Sequence, residues 1–89
     1  MKPVRVTKQF DKSFKKRIGS NPKLRAAYIL SLTAFRSGER NYPLNDHPLK
    51  GKLKGKRAFS IANDLRVIYE ETDETYIFLD IGSHNQVYN

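Results

Sequence analysis

The run of apolar and polar positions divides the chain into two helical stretches, an unpatterned middle and a strand-rich end. Val4 and Val6 flank Arg5, the period of a short half-buried strand within residues 3–7. Thr7 stands where a helix N-cap belongs. Phe10, Phe14 and Ile18 are spaced four apart and make one apolar stripe. Lys12, Lys15, Lys16 and Arg17 take the other faces, and Gly19 stops the helix. Asn21-Pro22 supplies a second cap followed by proline at the first helical position. Leu24, Tyr28, Leu32 and Phe35 then form a second stripe that ends at Gly38. So short a joint between the helices predicts an antiparallel pair.

Residues 39–56 follow neither period and contain Pro43, Pro48, Gly51 and Gly55. An unpatterned loop of this length in a compact domain is often functional. Three strand-like runs follow. Phe59 and Ile61 alternate with small or polar residues, as do Leu65, Val67 and Tyr69 with their neighbours, and residues 75–81 are β-branched and aromatic throughout. The polar stretch Glu71-Thr72-Asp73-Glu74 predicts a hairpin between the last two. The order β-α-α-β-β-β gives one α+β domain over residues 1–89. Its sheet is antiparallel, of about four strands, with both helices on one face. Phe10, Phe14, Ile18, Leu24, Tyr28, Leu32, Phe35, Phe59, Ile61, Val67 and Leu79 are the expected core.

Charge changes this picture more than size does. The net charge is +8, but residues 1–57 carry +13 and residues 58–89 carry −5. Such polarity points to a polyanionic partner on one face, and RNA is the expected one. The chain has no cysteine, which removes disulfides and thiolate metal sites. No apolar run approaches the ~20 residues of a membrane span, and the first residues lack a signal-peptide pattern. A cytoplasmic protein without a membrane partner is expected.

The densest functional signal is Lys50-Gly51-Lys52-Leu53-Lys54-Gly55-Lys56-Arg57, in which five of eight residues are basic. Lys50, Lys52, Lys54, Lys56 and Arg57 are candidate contacts to a nucleic-acid backbone, with no sequence preference of their own. His47 heads this loop and His84 follows Gly82-Ser83 after the last strand. Neither sits in an apolar run, and two separated histidines make a poor metal site, so no metal or cofactor is expected. Asp64 and Arg66 flank Leu65, and alternation puts both on the face opposite Val67. A surface ion pair is the plain alternative for them. Tyr88 serves equally as core, as a base-stacking platform or as a frayed end.

Four strings together resemble the RelE/ParE superfamily of toxin–antitoxin toxins. They are Phe10-Asp11-Lys12-Ser13-Phe14-Lys15-Lys16, Asp46-His47-Pro48-Leu49-Lys50-Gly51, Leu65-Arg66-Val67-Ile68-Tyr69 and Gly82-Ser83-His84-Asn85-Gln86-Val87-Tyr88. The loop and C-terminal strings are most similar to the YafQ branch. The resemblance implies a metal-independent mRNA interferase that cuts mRNA on the ribosome and is neutralised by a cognate antitoxin. It implies catalytic roles for His47, Asp64 and His84, a phosphate-holding role for Arg66, and a base-positioning role for Tyr88. An acidic antitoxin segment is expected over residues 50–57. The chain departs from the branch at Ser60, where a histidine is usual, and at Asp80, where an arginine is usual. These two departures favour the alternative, a non-catalytic ParE-like topoisomerase poison or a toxin relic that binds antitoxin.

RNA cleavage without a metal needs a base for the 2′-hydroxyl, a cation for the phosphorane and an acid for the departing 5′-oxygen. His47 as base, Arg66 as clamp and His84 as acid fit these jobs, with the two histidine labels interchangeable at this level, and Asp64 is placed to orient a histidine. The loop lysines act earlier, by neutralising phosphates in the bound ground state. Replacing Lys52 and Lys54 with alanine is therefore expected to weaken RNA binding and to flatten its log–log salt dependence. The slope should fall by roughly 0.7–0.9 for each phosphate that is no longer neutralised, measured by filter binding. An unchanged slope would remove the loop from the interface.

Overall fold

The computed structural model describes residues 2–88. Strand β1 (Val4–Val6) leads into α1 (Lys8–Arg17) and α2 (Pro22–Arg36). A loop then reaches the two-residue strand β2 (His47–Pro48) and a 3-10 turn (Gly51–Leu53). Strands β3 (Arg57–Ala62), β4 (Leu65–Glu71) and β5 (Tyr76–Gly82) follow, and the described chain closes with a short helix, α3 (His84–Tyr88). The expected caps form. The Thr7 hydroxyl accepts from the Phe10 N–H at 3.0 Å, and the Asn21 side chain accepts from the Leu24 N–H at 3.1 Å.

The sheet runs β1-β5-β4-β3-β2. It therefore has five strands rather than four, and it is mixed, because β1 pairs in parallel with β5 (Val4 opposite Tyr76, Val6 opposite Phe78). The remaining pairs are antiparallel. The two helices lie between β1 and the rest of the sheet in sequence, so the chain returns to β1 only with its last strand, and alternation inside β1 says nothing about that direction. Two elements go beyond the expected order. β2 is only two residues long, and α3 lies in a stretch expected only to follow the last strand.

One face of the sheet carries the core. Phe10, Ile18, Tyr28 and Phe35 from the helices pack on Phe59, Val67, Tyr69, Tyr76, Phe78 and Ile81, while Phe14, Leu24, Leu32 and Ile61 are partly buried around them. Phe35 is the hub. It stacks on Phe59 at 4.7 Å and meets Tyr69, Tyr76 and Phe78 edge-on at 5.0, 4.9 and 5.7 Å. The expected place of Leu79 in this core is corrected. The register slips between Ile68 and Tyr69, which pair with Asp80 and Phe78, so Leu79 is the extra residue of a bulge. The bulge resets the alternation, and Phe78 and Ile81 both face the core with Leu79 only half-buried between them.

The loop after α2 is tied down at several points. Leu44 is fully buried, its carbonyl accepts from the Ser60 N–H at 2.7 Å, and the Arg40 guanidinium covers the Phe35 ring at 3.9 Å. Phe35 thus joins helix, sheet and loop. Phe35→Ala is expected to cost about 3–5 kcal/mol of unfolding free energy, read from urea denaturation. A loss under about 1 kcal/mol would show that the aromatic cluster closes over the gap.

Candidate active site

The second face of the sheet bears the candidate site. Directly opposed residues on paired strands point the same way, so the pairings Ser60–Arg66–Gly82 and His47–Ala58–Ile68 put these side chains on the face away from the helices. A cleft of about 480 Å³ opens there. His47 and Pro48 of β2 and Lys50, Lys52 and Leu53 of the loop form one wall, and Arg66, His84 and Tyr88 form the other. The structure thus brings together His47, Arg66, His84, Tyr88, Lys50 and Lys52. It does not bring Lys54, Lys56 or Arg57 to the cleft.

His84 opens α3, which begins with a reciprocal cap. The Ser83 N–H donates to Gln86 Oε1 at 2.8 Å, and the Gln86 N–H donates to Ser83 Oγ at 3.3 Å. One turn on, the Tyr88 ring packs edge-on against His84 at 4.5 Å. Arg66 lies across both. Its guanidinium sits 5.6 Å from the Tyr88 ring centre and its Nη1 faces His84 Nδ1 at 3.4 Å. Asp64, in the turn before β4, accepts from Arg66 Nη2 at 3.1 Å and from the His84 backbone N–H at 3.3 Å. The ion pair exists, then, but it forms the wall of a cleft, with the Arg66 side chain only 20% exposed. Arg66 Nε and the Tyr88 hydroxyl are shielded from solvent and have no hydrogen-bond partner among the described residues.

The histidine contacts fix which ring nitrogen is available. His47 Nδ1 lies 2.9 Å from the Asn45 carbonyl, which can only accept, so Nδ1 carries the proton and the neutral ring offers the lone pair of Nε2. A guanidinium can only donate, so His84 Nδ1 accepts and its N–H is at Nε2. Both histidines are exposed. The two walls therefore present opposite groups, a ring lone pair and a ring N–H. Among the described residues no group of three His, Asp or Glu side chains is gathered to hold a metal ion.

Three residues carry more than their sequence signal. Asp46 precedes His47 and its side chain is fully shielded; it accepts from Arg57 Nε at 2.7 Å and Nη2 at 2.6 Å and from the Tyr69 hydroxyl. Arg57 is thus committed to a carboxylate and anchors the loop rather than facing the cleft. Arg17 binds Asp80 at 3.4 Å, so the negative charge that stands where the branch usually has an arginine is held by a cation outside the cleft. Gln86 caps the helix bearing His84. Each acts through a partner distant in sequence or through a cap, and no local pattern marks it. Ser60, paired with Arg66, does stand on the cleft face.

The chain as a whole resembles known proteins in sequence and fold. A family model described as bacterial toxin of type II toxin–antitoxin system, YafQ, matches residues 2–89. A copper-bound mutant toxin from Helicobacter pylori is 31% identical over 98% of this chain and 99% of its own, with a TM-score of 0.82. YafQ from Escherichia coli strain BL21(DE3) is 22% identical over the full length of both chains, also at 0.82. The toxin chain of the Escherichia coli DinJ–YafQ complex is 23% identical over 100% of both chains, at 0.76. Curated proteins gave no match.

The Tyr69–Asp46 contact also sets a pH response. Burial first, and then the Asp46 carboxylate, push the Tyr69 hydroxyl far above its ordinary value of 10. Burial raises Tyr28 as well. A phenol that keeps its proton longer when folded contributes nothing pH-dependent below the unfolded value. Above it the unfolded chain ionises first, so stability falls as pH rises past about 10. Urea denaturation from about pH 8 to 11 is expected to show this fall, less steep in Tyr69→Phe, with the Tyr28 contribution remaining. An equal slope in the variant would detach Tyr69 from the response.

Proposed function

The chain belongs to the YafQ family of bacterial type II toxin–antitoxin toxins, and from that premise we propose that it is an endoribonuclease that cleaves mRNA on the ribosome. The observation that carries this reading is the cleft in which Arg66 stands with a histidine lone pair on one wall and a histidine N–H on the other. His47 Nε2 takes the proton of the 2′-hydroxyl, whose oxygen attacks the adjacent phosphorus. Arg66 meets the growing negative charge of the phosphorane through its terminal nitrogens. His84, once protonated at Nδ1 as well and so no longer accepting from Arg66, gives its Nε2 proton to the departing 5′-oxygen, leaving a 2′,3′-cyclic phosphate and a free 5′-hydroxyl. Asp64 holds the His84 backbone and Arg66 together and keeps two cationic groups close. Tyr88 offers its ring to a base beside the scissile bond, and Lys50 and Lys52 hold the backbone at the entrance. The reading assigns no step to a metal.

The Escherichia coli YafQ complex with DinJ supports a protein antitoxin as the second partner. An acidic segment laid over Lys50 and Lys52 closes the cleft.

Binding and chemistry separate under mutation, because a proton donor acts in the transition state and a loop lysine in the ground state. His84→Ala is expected to slow cleavage on mRNA-programmed ribosomes by a factor of about 10²–10⁴ with ribosome affinity within twofold, followed by primer extension and filter binding. Cleavage at the wild-type rate removes His84 as the acid. No cleavage by the wild-type protein overturns the ribonuclease reading itself.

A further inference from the structure

Arg17 is the last residue of α1, yet its guanidinium leaves the helix layer and rounds the edge of the sheet. β1 pairs with β5 only as far as Phe78, so the strand edge beyond it has no strand partner. Arg17 takes that place. Its Nη1 donates to the Ile81 carbonyl at 2.9 Å and lies 3.4 Å from Asp80 Oδ1. Asp80 in turn accepts from the Ile81 N–H at 2.9 Å, so the carboxylate is fixed before it meets the cation.

Gly82 shows how tight the junction is. A Cβ there would lie 2.7 Å from Arg17 Nη1 and 2.8 Å from Gln86 Oε1. Gly82 pairs with Arg66, so that missing Cβ would point to the cleft face. Glycine is needed for close approach: the guanidinium from α1 and the capping side chain of α3 both close over its Cα. The same Gln86 oxygen accepts from the Ser83 N–H, the bond that starts α3 one residue before His84.

We propose that Arg17 is a positioning residue for the site: by clamping the end of β5 against the α3 cap, it sets where His84 and Tyr88 stand relative to Arg66. Its catalytic consequence rests on the ribonuclease reading, but its geometric consequence does not. Arg17 does not line the cleft, so it acts through α3 and not on the RNA.

The test uses the whole chain and two readouts. Arg17→Ala is expected to shift the His84 and Tyr88 ring resonances in NMR spectra, whereas Arg36→Ala, which removes an equal charge from the exposed end of α2, leaves them in place. On mRNA-programmed ribosomes Arg17→Ala is expected to lower the single-turnover rate by about tenfold to a hundredfold, with less than twofold loss of ribosome affinity. Gly82→Ala keeps every charge and is expected to reproduce both effects. Should it fail to fold, Arg17→Ala, with its unfolding midpoint checked, carries the test alone. Unmoved ring resonances in Arg17→Ala overturn the proposal. A loss of affinity as large as the loss of rate also overturns it, because Arg17 is then an RNA contact. If the wild-type protein cleaves nothing, the ribonuclease reading falls and the ring resonances still decide the positioning role.

Discussion

The buried carboxylate of Asp46 is the constraint on which the cleft depends. A shielded carboxylate is stable only when its lone pairs are used, and here Arg57 and the Tyr69 hydroxyl use them. Arg57 opens β3 and Tyr69 lies within β4, so the carboxylate binds the loop to the two central strands at once. His47 is the next residue. Its backbone pairs with Ala58, and its ring is held by the Asn45 carbonyl just before Asp46. Lifting the loop from the sheet means separating the Arg57–Asp46 ion pair and stranding the Tyr69 phenol. One wall of the cleft is therefore as rigid as the sheet, although it is made mostly of loop.

The other wall is built from the opposite end of the chain by a different device. The bulge at Leu79 lets β5 keep Phe78 and Ile81 in the core while Asp80 and Gly82 turn to the cleft face. Were Leu79 paired regularly instead of bulged, strict alternation from Phe78 would send Ile81 outward and Gly82 inward, and α3 would start from the wrong side. The bulge, the Gly82 gap and the Ser83–Gln86 cap act in series to deliver His84 beside Arg66. Catalytic precision depends on small displacements, since about 1 Å of misplacement can cost a hundredfold in rate. Rigid walls on both sides are what the proposed chemistry requires.

This also explains what could be read from the sequence. The two main helices, their caps and the final hairpin rest on local spacing, and they form as expected. Arg66 could be placed on the cleft face because alternation in β4 holds at that end, and Asp64 reaches it from the turn before the strand. The parallel pairing of β1 could not be seen, because it joins Val4 to Tyr76 across the whole fold. Leu79 misled because it ends the apolar run Tyr76-Ile77-Phe78-Leu79, in which a bulge is invisible. Arg57 looked like one more basic residue in a basic loop; only its partner, eleven positions earlier, separates it from Lys50 and Lys52. The site histidines stood out by their setting, but their roles rest on Asn45, Arg66 and Asp64, which the fold supplies.

The division of charge along the chain becomes a division in space. β4 starts at the cleft with Leu65 and ends at Glu71, and β5 runs from Tyr76 back to Gly82. Glu70 and Glu71 are therefore about 13 and 17 Å from Arg66 along β4, at about 3.3 Å per residue, and Asp73 and Glu74 lie in the turn beyond them. Both distances exceed the Debye length of about 8 Å at physiological ionic strength. A polyanion seated in the cleft is attracted by Lys50, Lys52 and Arg66 and is screened from the acidic end. At longer range and lower salt the two ends act together, turning the basic end toward an approaching polyanion. Lys2, at the far end, is bound to Glu71 at 2.6 Å and does not compete for that polyanion. Glu70, Glu71, Asp73 and Glu74 keep the distant end from binding phosphate, while Asp64 and Asp80, nearer the cleft, are each taken up by an arginine, so a small, strongly basic protein presents its candidate cleft first.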